Sequence, residues 1–282
     1  MARAPGFYRG RHHTAQFFAL QLISQILNLE EKPPITLALI ALQSLLYYSP
    51  KTLHKFLRAN NIRIPLQAFN TKQACLQPNI VLRQGQWRRI LLATITHAND
   101  LHLIWNMSSF LSKGVILEPY FGTTGFLLLI IGLGLLSHLL YVGFALLMYR
   151  LFGLRKWMNT CVVGFSGVLF ALKVVLSSGE FANMGYGRRR RVLGLFTVPS
   201  GQAHWAELVI AQVVNPRASF LGHLSGIFAG MLFVSGKKVF GRVKPLEILF
   251  ESRTRLMDRN RFDFGSGTVG GSSPSSRLTR DD

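Results

Sequence analysis

Long uncharged runs, separated by short polar or basic stretches, divide the chain between Pro33 and Gly236. A helix that crosses the hydrocarbon core, about 30 Å thick, needs roughly 20 apolar residues, so run length and charge gaps are the primary signal. Pro33–Pro50 carries no charge. Its paired prolines suit a helix start and Pro50 suits a stop. Leu101–Leu117 is the second run, with polar His102, Asn106 and Lys113. Phe121–Tyr149 extends for 29 residues without Lys, Arg, Asp or Glu. Asn159–Ser178, interrupted by Lys173, is the fourth. Ala203–Val214, carrying Glu207, is a weaker fifth, and Phe220–Gly236 is the sixth. Backbone at membrane depth must satisfy its own hydrogen bonds, so the pattern predicts an all-α polytopic membrane bundle with six transmembrane helices. Ala15–Leu29 is apolar but short and broken by Gln and Ser. It reads as an interfacial helix or a helical extension. Three parts follow: a basic N-terminus with this helix (1–32), the six-span membrane domain (33–240), and a flexible polar cytosolic tail (241–282). Within the tail, Gly265–Ser276 is rich in Gly and Ser.

Composition sharpens this reading. The chain is 49% hydrophobic and 16% charged, against about 25% charged in soluble domains, and its mean hydropathy is +0.27. An ordinary soluble enzyme and a disordered chain are both disfavoured. Two cysteines among 282 residues leave no disulfide scaffold and no Cys-x-x-Cys zinc module, and Cys75 and Cys161 are read as free thiols. The net charge of +20 suits an anionic membrane surface or a nucleic acid, and the apolar runs decide for the lipid bilayer and against nucleic acid. Arg188–Arg191 reads as a topology and headgroup patch. With Lys237, Lys238, Arg242 and Lys244, it falls on one side of a six-span chain, which puts both termini in the cytosol. Segment Lys51–Arg89 carries eight basic residues on the other side, in a loop of about fifty residues, a length at which the charge rule weakens.

Polar residues inside spans are costly and mark function. The fourth span contains Gly164-Phe165-Ser166-Gly167. Alone, this pattern is weak, since small residues also let helices approach. The sixth contains Gly222-His223-Leu224-Ser225-Gly226 and then Gly230. His223, Gly226 and Gly230 share one helical face, so the imidazole sits on a tight glycine seam. Gly167 would let that seam come close to Ser166. A serine hydroxyl needs a base, and histidine is the usual one. Spans four and six contain no carboxylate, which points to a Ser–His dyad rather than a triad. The second span adds His97-x₄-His102-x₃-Asn106. His102 and Asn106 lie one turn apart and can donate to an oxyanion. A metal held by His97, His102 and His223 lacks a completing carboxylate or cysteine, so no metal is expected. His138 reads as a helix–helix hydrogen bond. Glu207 is either protonated or turned to a polar interior.

In these motifs the chain resembles a rhomboid intramembrane serine protease. GFSG matches the family nucleophile motif at Ser166. GHLSGIFAG matches its H-x-x-G-x-x-x-G, which implies His223 as general base. HANDLHLIWN implies His102 and Asn106 in the oxyanion hole, beside the Ser166 backbone N–H. Trp87-Arg88 matches the loop motif, and Glu118 sits where the family often has an acid. His97, Trp87, Arg88, Gly164, Gly167, Gly226 and Gly230 take supporting roles. GFSGVLFALKVV is most similar to the endoplasmic-reticulum branch, that of rhomboid-related protein 4. The resemblance implies an intramembrane serine endopeptidase that cleaves transmembrane protein substrates, with a role in membrane-protein quality control and no cofactor. A non-proteolytic adaptor or chaperone for unstable membrane proteins is the competing reading, and a transporter is a third. The branch implies the endoplasmic-reticulum membrane. The first 29 residues, with Arg and no acid, also fit a mitochondrial transit peptide, hence the mitochondrial inner membrane as the alternative.

Overall fold

The computed structural model describes residues 6–62, 70–178, 181, 189–192, 196–216 and 218–240. Residues 1–5, Arg188 and the tail 241–282 lie outside the described residues, and with them part of the basic topology signal and the Gly/Ser stretch. Helices dominate: α1 (Gly6–Leu27), α2 (Pro34–Tyr48), α3 (Pro50–Ala59), α4 (Thr71–Ala74), α5 (Pro78–Gln84), α6 (Arg88–Ile95), α7 (Asp100–Phe152), α8 (Arg155–Asn159), α9 (Ser166–Leu176), α10 (Ala203–Val214) and α11 (Phe220–Phe240). One antiparallel hairpin, β1 (Arg189–Val192) with β2 (Phe196–Pro199), joins α9 to α10 in the register Arg189↔Pro199 to Val192↔Phe196.

Helix α7 is two helices in one. Gly122 sits at φ 71°, ψ 161°, three residues after Pro119. A glycine accepts that left-handed φ without a Cβ penalty. The second and third apolar runs fall on the two sides of this break. By length and composition α7 is the described helix that meets the criterion for a membrane span. Pro34–Tyr48, Ser166–Leu176, Ala203–Val214 and Phe220–Gly236 are shorter apolar helices.

Helix α2 lies antiparallel to the first half of α7. Its start is capped by Glu118: the backbone N–H groups of Ile35 and Thr36 and the Thr36 hydroxyl each donate to the carboxylate at 2.8 Å. The negative charge meets the orphan N–H groups and the positive end of the helix dipole. Helix α1 runs parallel to that same half of α7. Phe18 meets Trp105 edge-on, with ring centroids 6.3 Å apart, and Leu22, Ile26 and Leu29 join the core of Leu103, Met107 and Phe110. The segment read as interfacial is therefore packed lengthwise on the bundle.

Helix α9 is the central element, with every residue from Gly167 to Leu176 buried. A helix apolar all round belongs in a core. Its helical part begins only at Ser166, well after the Asn159 start expected from hydropathy. Gly164 takes φ 123°, and the preceding strand-like segment pairs with the first loop, where Leu76 and Val162 exchange backbone hydrogen bonds of 2.8 and 3.0 Å.

Candidate active site

The short start of α9 determines the depth of the site. Its 11 residues span about 16 Å at 1.5 Å per residue, roughly half a hydrocarbon core. Ser166 thus occupies the first helical position. Its N–H and those just after it have no intrahelical acceptor and lie at the positive end of the helix.

Close helix contact delivers the imidazole. A Cβ on Gly226 would overlap the Gly167 carbonyl oxygen, and one on Gly230 would lie 2.6 Å from the Ala171 oxygen. Only glycines allow α11 to approach α9 so closely. The result is a hydrogen bond of 3.0 Å between Ser166 Oγ and His223 Nε2. For Nε2 to accept, the neutral ring carries its proton on Nδ1. That atom is buried with no hydrogen-bond partner among the described residues, so no carboxylate among them orients the ring of the Ser166–His223 pair. The ring is held instead by Phe170, one turn after Ser166, with centroids 4.6 Å apart and planes tilted 32°.

The second span arrives at Gly164. A Cβ there would lie 2.5 Å from His102 Cε1, 2.6 Å from Nε2 and 3.6 Å from Asn106 Nδ2. Gly164 is thus demanded twice, by its φ and by this contact. His102 Nδ1 accepts the Ala98 N–H at 3.5 Å, which leaves the proton on Nε2, directed at the site. Asn106 Nδ2 is buried and makes no hydrogen bond within the described residues. His102 and Asn106, each with an N–H donor, thus lie beside Gly164, two residues before Ser166. Asn99 caps this helix by accepting the His102 N–H at 2.9 Å.

His97 lies beside His102, with ring centroids 5.2 Å apart. Burial, with His102 nearby, pushes its pKa down to about 3, so it packs as a neutral ring. Among the described residues no group of three or more His, Cys, Asp or Glu side chains could hold a metal ion. His138 is a packing histidine: Nδ1 lies 2.7 Å from the Ile90 oxygen and 3.1 Å from Thr94 Oγ1.

Several features were not apparent in the sequence. The cysteines are not free thiols: Cys75 and Cys161 form a disulfide, with Cα atoms 5.4 Å apart. They sit 86 residues apart, and nothing in their spacing announces the fold that joins them. This bridge, the Leu76–Val162 pairing and the Gly164 N–H bond to Ala93 O at 2.9 Å hold the strand that leads into Ser166. In the Trp87-Arg88 motif both side chains are exposed. The buried arginine is the next residue: Arg89 donates to Gln86 Oε1 and to the Cys75 carbonyl at 2.8 Å, and to the Lys72 carbonyl at 3.2 Å. The i, i+4 spacing of Ser166 and Phe170 was the available signal for Phe170. Glu207 is neither of the two expected cases alone, because it forms an ion pair with buried Lys173.

The rhomboid domain family matches residues 84–237. Rhomboid-like protein 14, mitochondrial, of Arabidopsis thaliana is 33% identical over 241 residues, covering 85% of this chain and 66% of the relative. Human rhomboid-related protein 4 is 34% identical over 220 residues, covering 76% and 62%. Rhomboid-like protein 15 of Arabidopsis thaliana is 31% identical over 170 residues, covering 58% and 40%. The chain thus spans about two thirds or less of the length of these curated relatives. No solved structure matches it.

Proposed function

The chain belongs to the rhomboid family, a family of polytopic helical membrane bundles, and on that premise we propose that it is an intramembrane serine endopeptidase. The observation that carries the proposal is the Ser166–His223 hydrogen bond beside Gly164, His102 and Asn106. Ser166 Oγ attacks a carbonyl of a substrate's transmembrane segment while His223 Nε2 takes its proton. The Ser166 N–H, His102 Nε2–H and Asn106 Nδ2–H receive the oxyanion. The imidazolium then protonates the leaving amine, and an acyl-enzyme remains. His223 next deprotonates a water, which releases the acyl group. A substrate helix has its carbonyls bonded internally, so segments with Gly, Pro or polar residues unwind most readily and are preferred.

Six spans, α2, the two halves of α7, α9, α10 and α11, form the membrane domain in this reading. Helix α11 begins at the dyad and runs away from it, so its end at Phe240 lies far from the site. Helix α1 runs parallel to the first half of α7 and packs against it. The disulfide near the site suits an oxidising compartment, which supports a reading in which the dyad faces the endoplasmic-reticulum lumen or the mitochondrial intermembrane space.

The test is cleavage of a type I membrane substrate by purified protein in liposomes. Turnover by the wild type that Ser166→Ala and His223→Ala abolish, with both variants still folded, is the expected result. Turnover that persists in Ser166→Ala removes the dyad. Substrate binding without cleavage by the wild type favours the adaptor reading.

A further inference from the structure

The Ser166 face of α9 continues beyond the dyad. Ser166, Phe170 and Lys173 lie at i, i+4 and i+7, one stripe along the helix. The first bonds His223, the second stacks on it, and the third meets a different helix. Lys173 is buried (6% exposed) and forms an ion pair with Glu207 of α10. Helix α10 is otherwise held lightly. Val209 and Val213 are 61% and 73% exposed, and its buried side is a narrow strip of Ala203, His204 and Leu208. Leu208 enters the small cluster of Phe170, Val174 and Ile227. The contact is therefore relayed: Glu207 is fixed by Lys173, the adjacent Leu208 backs Phe170, and Phe170 supports the imidazole.

We propose that Lys173 and Glu207 are positioning residues of the dyad, clamping α10 so that Phe170 holds His223 in line with Ser166. This rests on the serine-protease reading above. Two features support it. Among the described residues the His223 ring has no orienting carboxylate and Nδ1 no partner, so its orientation depends on packing. The pair joins a buried lysine to a half-buried glutamate, and such an attraction is directional in a way that the thin apolar strip is not. A lysine and a glutamate in separate spans are costly to bury, and a role at the site accounts for their presence better than packing alone.

The test uses the full-length protein in proteoliposomes. A fluorophosphonate measures the rate of Ser166 acylation per folded molecule, and a transmembrane substrate gives kcat and KM. For Glu207→Gln we expect acylation and kcat to fall about tenfold, in the range that slight misplacement of a catalytic group produces, with KM unchanged. Exchanging the charges, Lys173→Glu with Glu207→Lys, should restore a large part of the loss. If Glu207→Gln fails to fold, the apolar pair Lys173→Met with Glu207→Leu leaves no buried charge and should still be slow. Wild-type acylation by a folded Glu207→Gln or by the apolar pair overturns the proposal. So does a raised KM at unchanged kcat, which would make the pair a substrate contact. Absence of acylation in the wild type is a separate result that removes the serine-protease reading itself, and the positioning role with it.

Discussion

Compare the two neighbours of α9. Against α11, backbone meets backbone: Gly226 lies against the Gly167 carbonyl and Gly230 against Ala171. Against α10, the contact is one ion pair and a small cluster around Leu208. The first seam has no slack, because any Cβ would collide. The second relies on two groups that attract each other across a loosely packed strip. Both bear on the same imidazole, one by carrying it on α11 and the other through Phe170. A close-packed seam fixes where the ring is, while the paired charges govern how firmly it is held.

Three substitutions probe that difference. Gly226→Leu should be the most damaging, since a branched side chain must displace the Gly167 backbone. Overpacking by more than a methyl costs roughly 3 kcal/mol or more. We expect loss of the folded bundle, read as a collapsed thermal midpoint in detergent, and a normal midpoint would show that the seam yields. Glu207→Ala comes next. It strands the buried Lys173 ammonium, at a cost of about 3–5 kcal/mol, whereas the apolar pair Lys173→Met with Glu207→Leu should melt close to the wild type. Equal melting of Glu207→Ala and the apolar pair would mean that the charge itself is not what holds α10. Gly230→Ala is the mildest, at about 1–3 kcal/mol, because one methyl meets the Ala171 oxygen. Unchanged stability there would confine the tight contact to Gly226.

This contrast also separates what the sequence displayed from what it concealed. Small residues at i, i+4 on one helix leave a local signature, so the Gly226–Gly230 seam and its histidine were legible. The Gly164 motif and the His102–Asn106 turn are short local patterns too, and were legible as such. The partners of isolated polar groups were not, because they are chosen by superposition of distant segments. Glu207 appeared as a lone acid until α9 brought Lys173 to it. Glu118 was a family position without a task until the start of α2 met it. The disulfide joins two loops whose proximity depends on the whole bundle. The late start of α9 was hidden too, since hydropathy continues across Thr160–Phe165 although the backbone there is held in a strand-like pairing. Arg88 and Arg89 are indistinguishable as residue types, and only the carbonyl cluster around Cys75 selects Arg89.

The central claim is that the Ser166 hydroxyl is activated by His223. Its most direct test is mass-spectrometric mapping of a fluorophosphonate adduct on the membrane-embedded protein. We expect the adduct on Ser166, and its loss in a folded His223→Ala variant. An unmodified Ser166 in the wild type, or an adduct that forms equally fast without His223, would contradict it.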